Sequence, residues 1–217
     1  MSQKHPKSSA TINKLVDELN PVKRIFNFKK RFIAWSIIHV LCILLIMFST
    51  GSLRPNLIEQ IKQPLFFLEL LLIFVSMPLL AFLLFRESTP HKKQRPFKTI
   101  LYYSPFIFSV VLISLQFFKP QFEFSMVGKR AYCGFEIILY AIPLYLSLLY
   151  LVKKAFPLRK KSLSFLMGLS ASTFTSAMMN ISCIYEVKHV LIWHIGPIFI
   201  VSLISFVVGL FVFKEKK

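Results

Sequence analysis

Residues 64–85 read PLFFLELLLIFVSMPLLAFLLF, a run in which Glu69 is the only charged residue. A bilayer core about 30 Å thick is crossed by roughly 20 apolar residues of α-helix, so this run fits a membrane span. Five further runs of similar character are residues 32–50, 99–118, 131–152, 163–183 and 190–213. We therefore predict an all-α fold, a polytopic membrane protein built as a bundle of six transmembrane helices.

The composition excludes a soluble domain of this size. Of the 217 residues, 55% are hydrophobic and only 17% are charged, which is too apolar for a soluble globular protein. The six runs use most of the chain. We expect a cytoplasmic arm at 1–31, a transmembrane domain at 32–213 and a cytoplasmic tail at 214–217.

The basic residues predict the topology. A net charge of +18 would suggest nucleic acid binding in a soluble protein, but here 21 of the 27 Lys and Arg fall in the two termini and two alternate gaps. The positive-inside rule places that side in the cytoplasm, with both termini inside. We therefore expect a multi-pass membrane protein whose basic residues face the lipid bilayer, and no direct nucleic acid binding.

The N-terminal arm contains a short amphipathic pattern. Ile12, Leu15, Val16 and Leu19 recur at helical spacing, and Pro21 predicts the end of that helix. A free helix of about ten residues is marginal in water, so it needs a partner. The pattern fits an interfacial helix on the lipid surface, and equally a helix that docks on a protein.

Several metal-ligating side chains are predicted to meet at the outer membrane face. Cys133 and Glu136 share a helical face at the start of the fourth span. Cys183 ends the fifth span, and His189 and His194 lie at the start of the sixth. The two cysteines could form a disulfide in an oxidising periplasm. As thiolates with the histidines or Glu136, they could instead bind zinc, cadmium or copper transiently.

A purely structural interpretation of the same residues stays open. A membrane cysteine is often a small hydrophobic residue, as expected for Cys42 in the middle of the first span. His194 and His39 could each simply hydrogen-bond a neighbouring helix. The spacing matches no zinc motif, so it does not identify a metal.

A catalytic function is not indicated. The sequence lacks the order and spacing of a Ser/His/Asp triad, an HExxH site or a CxxC pair. We therefore expect no enzyme and no resident cofactor. A small transporter or metal-handling membrane protein that uses the outer Cys/His/Glu cluster is the alternative function, and a structural membrane protein is a third.

Short motifs occur in a characteristic order along nearly the whole chain. They are Leu19-Asn20-Pro21-Val22, Lys30-Arg31 followed by Trp35, Arg130-Ala131-Tyr132-Cys133, Ala155-Phe156-Pro157, and Cys183 followed by His189 and Trp193-His194. In motifs and topology the chain resembles the NrsF family of bacterial anti-sigma factors. These are six-span inner-membrane proteins that hold an extracytoplasmic-function sigma factor inactive.

The resemblance implies a function for both ends of the molecule. The arm would bind the sigma factor in helix-in-groove fashion, through Ile12, Leu15, Val16, Leu19, Pro21 and Val22. On the periplasmic side, Cys133 and Cys183 would sense oxidants or thiophilic metals. Their modification would then release the sigma factor.

Overall fold

The apolar runs form helices, as predicted. The computed structural model describes residues 27–50, 53–54, 57–88, 96–118, 132–155, 160–183 and 186–213, and every regular element in these ranges is helical. The helices are α1 (Phe28–Thr50), α2 (Leu57–Ile61), α3 (Pro64–Glu87), α4 (Pro96–Gln116), α5 (Cys133–Lys153), α6 (Lys160–Ser182) and α7 (Val187–Val212). The all-α prediction is therefore confirmed. The predicted amphipathic stripe of Ile12, Leu15, Val16 and Leu19 lies outside the described residues, and so does the predicted tail at 214–217.

Helix α6 forms the centre of the bundle and packs along α3, α5 and α7. Between Leu163 and Met179 every side chain except Phe165 is buried. Its Ser, Gly, Ala and Thr residues permit this, because small side chains let helix backbones approach closely. A Cβ atom added to Gly168 would lie 2.7 Å from the Cα of Ser202 on α7. Among the described helices, α6 is the most buried.

The number of membrane-crossing helices requires a correction. By length and composition, four helices in the described ranges can cross a membrane: α3, α4 from Thr99, α5 and α7. These four are compatible with a membrane protein, but they are fewer than the six predicted. The fifth predicted span, α6, is long enough, but its hydroxyl side chains and glycine make it less apolar than the others. The first predicted span corresponds to α1, and the side chains of residues 46–50 of this helix are not described.

Helix α7 is continuous but not uniform. Its residues Val190–Ile195 form a π-helical turn between the short α-helical start and the long α-helical remainder. The sequence explains the position, because Pro197 cannot donate to the carbonyl of Trp193 and its ring presses on that carbonyl. A wider turn relieves this conflict, and such turns are frequent at functional sites.

Candidate thiol and metal centre

Three helices bring soft metal donors to one end of the bundle. Cys133 is the first residue of α5, and Cys183 directly follows the last residue of α6. His189 and His194 lie in the first turns of α7. Their four ligand atoms lie within 4.8 Å of one another. We call these four residues the thiol–imidazole centre.

The two sulfur atoms form the core of this centre. The Sγ atoms of Cys133 and Cys183 are 2.9 Å apart, and the Cys183 Sγ is 3.2 Å from the Nε2 of His189. The exposed fraction of each cysteine is at most 1%. No disulfide bond joins the two sulfur atoms. The centre is therefore a compact group of donors removed from solvent.

The close approach of α5 to α7 depends on Gly134. A Cβ atom at this position would lie 3.0 Å from Cε3 of Trp193 and 3.3 Å from Cγ of Pro197. Because Gly134 has only a hydrogen atom in place of a side chain, the first turn of α5 packs directly against α7. This contact holds Cys133 beside the two histidines.

The π-helical turn brings the histidines together. In a regular α-helix, residues five apart differ by about 140° around the axis and cannot both face one ligand. The i to i+5 bonding of a π turn brings such residues nearly into line. The rings of His189 and His194 are accordingly 5.3 Å apart, centre to centre.

Asn180 fixes the orientation of His194. The Nδ1–H of His194 donates to the Oδ1 of Asn180 at 2.7 Å. Its Nε2 atom is then left with a lone pair, and this atom is fully buried. Metal-binding histidines commonly donate their second ring N–H to a carbonyl oxygen in this way. The arrangement therefore prepares Nε2 to accept a proton or a metal ion.

Arg54 joins the loop after α1 to the same site. Its Nη1 donates to the carbonyl of Cys183 at 2.8 Å, and its backbone N–H donates to the carbonyl of Ile181 at 3.4 Å. The guanidinium also lies over the ring of Phe66 at 4.8 Å. A positive charge here complements the negative end of α6, and the hydrogen bonds satisfy carbonyls that the helix leaves unpaired. Arg54 therefore anchors the segment that carries Cys183.

The donor set fits a thiophilic divalent ion. Two thiolates and two neutral imidazoles suit zinc and softer ions, and with a divalent ion their charges sum to zero, which limits the cost of burial. The sulfur separation of 2.9 Å lies between the roughly 2.05 Å of a disulfide and the roughly 3.8 Å expected across a tetrahedral site.

The sequence predicted most of this centre. The structure brings together Cys133, Cys183, His189 and His194, but Glu136 is not part of the group. Glu136 lies about 4.5 Å farther along the axis of α5, one turn from the donors. Cys42 lies elsewhere, exposed on α1.

Two contributing residues were not predicted. Arg54 was counted only as one of the few basic residues of its gap. Asn180 carried a recognisable signal, because it is the one amide side chain in the small-residue helix and stands one turn before Cys183.

Comparison with known proteins identifies the family. The family model of NrsF, described as negative regulator of sigma F, matches residues 15–214. Neither the curated proteins nor the solved structures yielded a match. The matched region covers most of the chain, including the thiol–imidazole centre. The chain belongs to the NrsF family, the negative regulators of sigma F.

Proposed function

We propose that this protein is an inner-membrane anti-sigma factor that binds an extracytoplasmic-function sigma factor through its N-terminal arm. It releases the sigma factor when Cys133 and Cys183 react with an oxidant or bind a thiophilic metal. The observation that carries the proposal is the thiol–imidazole centre, four buried soft donors within 4.8 Å of one another. Family membership supplies the regulatory role.

The proposed membrane domain has six spans, with α1 and α6 added to the four apolar helices. Both helices contain 23 residues, a length of about 34 Å. Several polar side chains of α6 bond within the bundle, which lowers the cost of placing this helix in a membrane. Ser172 donates to the carbonyl of Gly168, and Thr175 donates to that of Ser172.

The proposed orientation places the thiol–imidazole centre on the periplasmic side. This follows from the charge distribution, since the gaps at that end of the bundle hold 6 of the 27 Lys and Arg. Oxidants and metal ions from outside the cell would reach the centre there. In the thiol form the pair can close to a disulfide or open around a metal ion.

A thiol reaction can release a partner only if it favours one of two helix packings. A metal ion would separate the two sulfurs, and a disulfide would draw them together. Either change acts on the first residue of α5 and on the end of α6. The sigma factor would occupy the arm in the packing that the thiol form favours.

The arm is tested with the full chain, tagged at its C-terminus and purified from its native cell. The native chain should recover a sigma factor, and Leu15→Asp with Leu19→Asp should not, because two charges on the apolar stripe cannot enter a hydrophobic groove. Asn13→Asp with Asn20→Asp adds the same charge beside the stripe and should retain binding.

The outcome separates the candidate functions. Recovery of a sigma factor by the native chain and by the control pair alone supports the anti-sigma function. Equal recovery by all three chains would refute docking through the stripe. If no chain recovers a sigma factor while cells retain metal uptake that depends on this protein, the transporter alternative is favoured.

A further inference from the structure

A second polar cluster joins α1 to α5, far from the thiol–imidazole centre. The Nε1–H of Trp35 donates to the Oγ of Ser147 at 2.8 Å, and the same Oγ lies 3.2 Å from the Nε2 of His39. The Nδ1–H of His39 donates to the carbonyl of Trp35 at 2.7 Å. We call Trp35, His39 and Ser147 the α1–α5 clasp.

The clasp is tightly constrained. The exposed fraction of Trp35 is 3%, and its ring stacks on that of His39 with centroids 4.5 Å apart. The single hydroxyl proton of Ser147 is shared between the Nε2 of His39 and the carbonyl of Leu144 on its own helix. A change in the position of α5 therefore cannot occur without breaking these bonds or moving α1.

Helix α5 connects the clasp to the thiol–imidazole centre. Cys133 begins this helix and Ser147 lies fourteen residues farther along it, a distance of about 21 Å. A displacement at the sulfur of Cys133 therefore acts on the same element that holds Trp35. Helix shifts of about 1–2 Å are the size that interface switches use.

Of the two helices whose ends adjoin the paired cysteines, α5 is the less tightly packed. Helix α6 is buried on almost every side, so its displacement would disturb contacts with three neighbours. Helix α5 exposes Phe135, Leu146 and Tyr150 at 63%, 55% and 59%. Contact with lipid tails restricts movement less than close packing against protein does.

The contacts of α1 with α6 differ in kind from the clasp. Trp35 meets Phe174 of α6 only through an edge-to-face ring contact, with centroids 5.5 Å apart. Such a contact tolerates sliding, whereas hydrogen bonds depend steeply on geometry. Motion of α5 is therefore transmitted to α1 more directly than motion of α6.

We infer that the α1–α5 clasp is the link through which a change at Cys133 reaches the N-terminal end of α1 and the arm before it. This inference rests on the proposed function, since it concerns how the same sensor controls the same arm. Arg31 reinforces the link, because its Nη1 donates to the carbonyl of Leu151 at 3.4 Å. Trp35, His39 and Ser147 are positioning residues and bind neither metal nor partner.

The experiment uses the full chain in its native cell, with Cys42→Ser in every variant so that only the paired cysteines react. Three quantities are measured: repression of a sigma-dependent reporter at rest, its induction by Cd²⁺, and protection of the thiols from a maleimide by Cd²⁺. The test variant is Ser147→Ala, and Ser147→Thr restores the hydroxyl. Ser104→Ala is the control, because Ser104 makes a similar bond to its own helix.

Ser147→Ala should keep repression and Cd²⁺ protection but lose about fivefold in induction, the low end of typical coupling between sites. Ser147→Thr and Ser104→Ala should respond like the parent. Unchanged induction in Ser147→Ala would overturn the inference, and so would a parallel loss of Cd²⁺ protection, which a merely structural role predicts. Failure of the parent chain itself to repress would instead refute the proposed function.

Discussion

The thiol–imidazole centre and the α1–α5 clasp are both polar clusters built on α5, yet they differ in chemistry. The first contains thiols and imidazoles that can change covalent or coordination state, and the Nε2 atom of His194 is buried among them. The second contains an indole, an imidazole and a hydroxyl that bond to one another. One cluster is suited to react, and the other to hold two helices in register.

The largest expected effect separates the two clusters directly. Cys133→Ser with Cys183→Ser should lower Cd²⁺ affinity by more than about 100-fold, because even loss of a residue that only supports a ligand costs about 10–100-fold. The measurement is the ultraviolet thiolate-to-metal absorption of the purified full chain. Cys42→Ser, which removes the exposed cysteine of α1, should bind like the native protein. Equal binding by the double variant would show that the centre holds no metal.

Asn180→Ala tests whether the orientation of His194 matters to the centre. Loss of the bond to Nδ1 allows the ring to rotate, so Cd²⁺ affinity should fall by about 10–100-fold. Ser182→Ala is the matched control, because Ser182 bonds only to the carbonyl of Met178 within α6 among the bonds described. Titration of both variants by the same absorption band compares them. Similar affinities would mean that Asn180 does not support a ligand.

The thiol–imidazole centre was largely predictable from sequence, because the alternation of helices fixes the depth of each residue. Alternating helices place the start of α5, the end of α6 and the start of α7 at one end, so Cys133, Cys183 and the two histidines had to lie at one level. Glu136 was included because i and i+3 residues share a face. One turn of separation along the axis nevertheless removes it from the group.

The other contacts were not predictable from the sequence, because they join residues far apart in the chain. Arg54 and Cys183 are separated by 129 positions, and Trp35 and Ser147 by 112. Hydropathy gives the depth of a residue but not the rotation of its helix. The π-helical turn could not be read from hydrophobic periodicity either, and without it the histidines would point apart. Only four of the described helices are apolar enough to be recognised as spans for a related reason, since the small polar residues that bury α6 also lower its hydropathy.

Arg54→Met tests how firmly the end of α6 is held. Hydrogen bonds to charged groups contribute about 1.5–3 kcal/mol, so local opening at Cys183 should become about tenfold more frequent. The rate of maleimide labelling of the buried thiols in a Cys42→Ser background measures this opening. Lys62→Met, at an exposed position near the same loop, should leave the rate unchanged. An unchanged rate in Arg54→Met would show that the anchor does not limit access.

The smallest effect concerns the clasp and completes the comparison. Trp35→Phe keeps an aromatic ring among Phe85 and Phe174 but removes the Nε1–H that bonds Ser147. An interhelical hydrogen bond in a membrane protein contributes about 0.6 kcal/mol on average. The loss of this bond and the weaker packing of the smaller ring should together lower the free energy of unfolding by roughly 1 kcal/mol. Denaturant unfolding in mixed micelles measures the change. Cd²⁺ affinity should stay at the native value, because the ring lies toward the opposite end of α5 from Cys133. A matching loss of metal affinity would show that the two clusters are one cooperative unit, and the division between a reacting site and a holding site would then be wrong.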